Sequence, residues 1–142
     1  MEYIIINYWA VLVAAVAYMI IGSLWYGPVF GKKWMAYVGI TKESMKTMPL
    51  KAWQAIIGGF ITALIMAYVL AYTIQMSVVS FGDMGITTGL MTAFWVWFGF
   101  VLTTQASSFL WEGKPFGLLI LNGANTFVSL MVMASIIVLW PF

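Results

Sequence analysis

Cysteine and histidine are both missing from the 142 residues. Without them there are no disulfides, no thiolate nucleophiles, no zinc sites built on Cys or His and no haem ligation by either residue. Arginine is missing too, since all six basic residues are lysines. The planar forks that clamp phosphates or read base edges are therefore lacking, and no nucleic-acid partner is expected. Charge of either sign is scarce at 7% of residues, too little to coat a soluble domain of this length.

The placement of the few charges excludes more. No carboxylate or lysine falls near the middle of an apolar run, so proton relays, voltage sensing and charge-coupled transport lack the residues they need. The four acids, Glu2, Glu43, Asp83 and Glu112, form no local pair for acid–base work. No enzyme activity, cofactor or metal is expected.

What is present is apolar surface: 64% hydrophobic residues and a mean hydropathy of +1.03. This predicts an all-α membrane protein, a single domain over residues 1–142 with four transmembrane helices of about twenty residues or more each. The runs lie at about 4–26, 53–76, 86–111 and 116–140. The first is too long for a signal-peptide core and its lysines follow it, so it is read as a retained span.

Five lysines (Lys32, Lys33, Lys42, Lys46 and Lys51) fall between the first two runs, and Lys114 falls between the last two. The positive-inside rule puts both connections in the cytoplasm and both termini outside, an N-out/C-out topology. The connection near 77–85 carries Asp83 and no lysine, which agrees. Trp9 and Trp140 sit near outer ends and Trp25, Trp53 and Trp111 near inner ends, as an aromatic belt requires. Trp95 and Trp97 lie inside the third run on nearly opposite faces, so at most one can point to the bundle axis.

The long connection begins with "WYGPVFGKKW". Gly27-Pro28 is expected to stop the first helix, because proline lacks an N–H donor and restrains the residue before it. Phe30, Trp34, Met35, Tyr37 and Val38 among Lys32 and Lys33 then predict a short interfacial helical segment between helices 1 and 2, ended by Gly39. Thr41 is placed to cap a further turn over 42–48. Lys32, Lys33, Trp34 and Lys114 are candidate lipid-headgroup contacts.

Two surfaces stand out within the membrane. Ala55, Gly59, Ala63, Ala67 and Ala71 form a four-residue ladder that would let another helix approach closely, in the same chain or in a second copy. A polar face combines Thr88, Thr92, Thr103 and Ser107 of the third span with Asn122, Asn125, Thr126 and Ser129 of the fourth. Serine and threonine can bond their own helix, but an asparagine amide needs partners. The face has three readings: interhelical hydrogen bonding with nothing bound, a polar cavity or narrow path, or a lipid-headgroup site. "WYGPVFGKKW" and "WEGKPFG" also echo one another at the two lysine-bearing exits, as a parallel repeat would.

Asn7-Tyr8, "GSLWYGPVFGKKWM" from Gly22 to Met35 and "GKPFGLLILNGANTFVSLMVM" from Gly113 to Met133 resemble the DUF1761 family, small bacterial and archaeal membrane proteins of unknown function. The resemblance rests on Trp25, Tyr26, Pro28, Gly31, Lys32 and Trp34, then Gly113, Pro115, Asn122, Val128 and Ser129. It implies a four-span protein of the prokaryotic cell membrane and brings no accepted activity. The family often has Ser at the place of Gly27 and His at that of Thr126. The functional expectation is an oligomeric conduit or transporter for a small neutral solute or ion. The alternative is a structural or accessory protein acting through helix association. Membrane lipids and a second copy of the chain are the expected partners.

Overall fold

The computed structural model describes residues 4–83 and 85–141, so Glu2 and Met84 lie outside the described residues. All the regular structure is helical among the described residues. Four helical stretches, Tyr8–Val29, Ala52–Phe81, Ile86–Leu110 and Phe116–Leu139, are long and apolar enough to cross a membrane.

The first helix, α1, spans Tyr8–Leu24. It starts later than the apolar run because Asn7 caps it, its Oδ1 accepting from the N–H groups of Trp9 at 3.0 Å and Ala10 at 3.2 Å. The regular α-helix does end before Gly27-Pro28, as expected, and the chain kinks there. The path widens into a π-type turn, Trp25–Val29, where the Phe30 N–H reaches five residues back to the Trp25 carbonyl at 2.8 Å. The wider turn gives the proline ring room, and Gly27 takes the kink at φ −105° and ψ −106°. Helix α2, Gly31–Val38, follows and ends at Gly39, whose φ of 73° is left-handed. Gly31 is boxed in by the turn, since a Cβ there would lie 2.7 Å from the Tyr26 carbonyl oxygen.

Helix α3 covers only Lys42–Met45, shorter than the expected 42–48, with Thr41 and Ser44 capping each other. Helix α4, Ala52–Phe81, has 30 residues and outruns the expected 53–76, because nothing interrupts it before Gly82 at φ 75°. It is about 45 Å long, against a hydrocarbon layer of roughly 30 Å. The third span is α5, Ile86–Val96, a π-type segment, Trp97–Leu102, and α6, Thr103–Leu110. The last helix, α7, is Phe116–Leu139.

Helix α1 packs on α4 and α7, α5 packs on the same two helices, and α7 also reaches across to α4. The fourth span is the most buried. The core gathers in the half of the bundle holding the termini, where Ala14, Ala15, Ala63, Ala67, Ala93 and Ala134 let backbones approach around Ile74, Leu130 and Met133. Gly89 contributes in the same way, since a Cβ there would collide with Val138. This half is termed the terminal half, and the opposite one the lysine half.

The alanine ladder divides between the halves. Ala63, Ala67 and Ala71 are 0%, 0% and 3% exposed and form a seam inside the monomer. Gly59 is half-buried against Met19, while Ala55 is exposed along with all of residues 52–58. In lipid the benefit of such a seam is close packing, not exclusion of water. Ala67→Leu should therefore destabilise by about 1–3 kcal/mol, whereas Ala55→Leu should stay within about 0.5 kcal/mol. Unfolding both variants in mixed micelles checks this, and equal losses would contradict the division.

Candidate functional site

The lysine half holds side-chain donors that reach across the bundle to α7. The widened turn after α1 aims Trp25 and Tyr26 at that helix. The Trp25 indole N–H donates to the Leu121 carbonyl at 3.2 Å and the Tyr26 hydroxyl to Asn122 Oδ1 at 2.7 Å. From the third span, the Trp97 indole N–H donates to the Gly123 carbonyl at 3.0 Å and lies 3.1 Å from Thr126 Oγ1. That hydroxyl has one proton for the carbonyls of Asn122 and Gly123, both at 3.1 Å, and for Gln105 Oε1 at 3.4 Å. Small residues on α7 admit these partners. A Cβ on Gly123 would press on Leu102 at 3.2 Å, and one on Gly117 would meet the Tyr37 ring of α2.

Deeper along α7 two side-chain oxygens lack partners. Asn125 is 4% exposed and Ser129 0% exposed, yet Asn125 Oδ1 and Ser129 Oγ accept or donate no hydrogen bond among the described residues. They lie four residues apart and so share one helix face. Tyr18 and Tyr26 border the same cleft. There α1 and the exposed start of α4 part to leave about 450 Å³, lined also by Ser23 and Ala55.

Of the eight residues expected on one polar face, Asn122, Asn125, Thr126 and Ser129 come together. Thr88 and Thr92 lie elsewhere, facing Thr73 and Ser77 of α4 in the terminal half. Thr103 and Ser107 join neither group. Both are exposed, with hydroxyls donating to the Gly99 and Thr104 carbonyls at 2.8 Å each. The cause is the π-type segment, which adds a residue to the turn and rotates α6 by about 100° relative to the stripe set by α5. A hydroxyl bonded to its own helix can face lipid at little cost.

Lys32 and Lys33 are exposed, and Trp34 packs edge-on against Tyr26 with ring centroids 5.5 Å apart. Lys33 borders a cavity of about 320 Å³ with Trp25, Phe30, Tyr37 and Ile120. Lys114 is half-buried at the foot of α7.

Tyr18, Trp25, Tyr26, Trp97 and Gln105 were not among the expected site residues. Their signal was the polar tip each carries in an apolar stretch, which has to be matched with a partner. Trp97 turns inward while Trp95 is 60% exposed, as their opposite faces require.

The two stretches that carry the family resemblance, 22–35 and 113–133, meet at Trp25–Leu121 and Tyr26–Asn122. A family model described as "Protein of unknown function (DUF1761)" matches residues 9–138. No curated protein and no solved structure matches the chain.

The contact between these stretches can be measured as a coupling. A double-mutant cycle of Tyr26→Phe and Asn122→Leu, read by unfolding in mixed micelles, should give about 0.5–1.5 kcal/mol. A coupling of zero would mean that the two side chains are not bonded in the folded protein.

Proposed function

The chain belongs to the DUF1761 family, and we propose that it is a multi-pass protein of the prokaryotic cell membrane that serves as a conduit for a small neutral solute. The solute is a hydrogen-bonding one, such as water, a short alcohol or an amide. The observation that carries this reading is the pair of buried, unpartnered oxygens on Asn125 and Ser129. An amide oxygen unmet in an apolar setting costs on the order of 2–7 kcal/mol, which a bound O–H or N–H offsets. Among the described residues no charged side chain lines the neighbouring cleft, so a neutral molecule fits better than an ion.

Entry is from the lysine half, where the cleft between α1 and α4 opens beside Tyr18 and Tyr26. The packed alanines of the terminal half close the far side, so passage requires that seam to part or a second copy to complete the path. Lysines placed only at one end support a cytoplasmic location for that end and an outward location for both termini.

A second reading, an accessory protein acting by helix association, draws on Ala55, where the alanine ladder runs on past the part covered within the monomer. The test for the conduit is osmotic flux in proteoliposomes, using water, glycerol and urea. Wild-type protein should exceed empty liposomes, and Asn125→Leu should remove at least about 80% of the excess by depriving the solute of its acceptor. Wild-type flux equal to the lipid background would overturn the conduit. Disulfide crosslinking of Ala55→Cys, in a chain that otherwise lacks cysteine, would then favour association.

Orientation is checked separately. In intact bacterial cells an impermeant maleimide should label Asp83→Cys and spare Lys46→Cys. The reverse pattern would invert the topology.

A further inference from the structure

The terminal half contains a cavity with hydroxyls in a largely apolar lining, separate from the asparagine site. It lies between α4 and α5 and measures about 360 Å³, with Thr73, Ser77, Thr88, Thr92, Phe81 and Trp95 in its lining. That volume is at the small end of ligand pockets. Thr73 precedes the end of α4 by eight residues, so the cavity extends about 12 Å below the helix end.

Among the described residues, three of the four hydroxyls in the lining, those of Thr73, Ser77 and Thr92, direct their protons at backbone carbonyls. Thr73 donates its hydroxyl to the Val69 carbonyl at 2.7 Å, Ser77 to the Thr73 carbonyl at 3.0 Å, and Thr92 to the Thr88 carbonyl at 2.7 Å. Ser77 Oγ and Thr92 Oγ1 also lie 3.0 Å apart. Each hydroxyl has one proton and two lone pairs, so two protons serve two carbonyls and the contact between the oxygens as well. The oxygens of Ser77 and Thr92 thus present lone pairs, and the group they lack is a donor.

Two further observations select a charged donor. The indole of Trp95 and the ring of Phe81 border the cavity, and an aromatic face attracts a cation within about 6 Å of its centroid. Asp83, two residues beyond the end of α4, is the charged residue of the adjoining connection, while all six lysines belong to the connections at the other end. The local field therefore favours positive charge.

We infer that the cavity between α4 and α5 binds a primary ammonium group, with its N–H bonds on Ser77 and Thr92 and its alkyl side against Trp95 and Phe81. A primary ammonium supplies three donors and a compact charge. A quaternary one supplies the charge alone. The group has two sources, a free amine in water and the ethanolamine headgroup of a lipid in the adjoining leaflet, and both present the same chemistry.

The test is calorimetric titration of the protein in phosphatidylcholine nanodiscs with ethylammonium chloride, tetramethylammonium chloride or tert-butanol. Saturable binding of ethylammonium is expected, at least about fivefold tighter than tetramethylammonium, with no binding of tert-butanol. Thr92→Val and the exposed-site variant Trp95→Leu should each weaken ethylammonium by about fivefold or more, and Thr92→Ser should restore it. Adding 30% phosphatidylethanolamine separates the sources. Weaker ethylammonium binding then assigns the cavity to the lipid headgroup, and unchanged binding assigns it to free amines. No saturable ethylammonium binding, equal binding of tert-butanol, or undiminished affinity in Trp95→Leu or in a Thr92→Val protein that keeps its melting temperature would overturn the assignment.

Discussion

A polar group inside a bilayer has only protein to bond to, and in the lysine half this demand converges on the backbone of α7. Its Leu121 and Gly123 carbonyls take indole protons from the first and third spans, Trp25 and Trp97, as second bonds beyond those of the helix itself. The rest of the lysine half follows from this arrangement. The turn after α1 has to be wide enough to aim Trp25, α7 has to carry small residues to admit the rings, and α4 has no place beside them. The terminal half instead draws helices together on alanine, and the hydroxyls of Thr73, Ser77 and Thr92 bond carbonyls of their own helices.

Two kinds of polar site result, and their chemistry differs because their geometry does. The Asn125 and Ser129 oxygens are buried and unmatched. Around Ser77 and Thr92 the hydroxyls sit at a gap between two helices with their protons already drawn toward backbone carbonyls. The first arrangement suits a neutral molecule held among side chains, and the second a donor held between an aromatic wall and hydroxyl lone pairs.

Much of this architecture was legible from apolar runs, scarce charge and the clustering of lysine, because length and polarity are sequence properties that a membrane reads directly. That no more than one of Trp95 and Trp97 turns inward followed from their opposite faces, and the Ala63/Ala67/Ala71 seam from a four-residue period. The illegible parts share a physical origin in departures from regular helix geometry. Nothing local in "WFGFVL" distinguishes five residues per hydrogen-bonded loop from four, so Thr103 and Ser107 were extrapolated onto the wrong face. Gly27-Pro28 does end the regular α-helix, but the kink takes the form of a widened turn that holds the proline ring, and nothing in the dipeptide dictates that form. The ending of α4 at Phe81, not near 76, reflects the absence of any breaker before Gly82.

The widened segment Trp97–Leu102 also gives the third span a kind of phase control. A π-type turn is one residue out of step with the helices on either side, so α5 and α6 behave as two cylinders with a fixed angular offset. Annealing that turn to ordinary α geometry would not require any side chain to change. It would swing Thr103 and Ser107 by about a quarter of a revolution, into line with Thr88 and Thr92. A single-residue insertion or deletion between Trp97 and Leu102 would thus re-index every position of α6 at once, making chain length there a stronger determinant of what the bundle contains than residue identity.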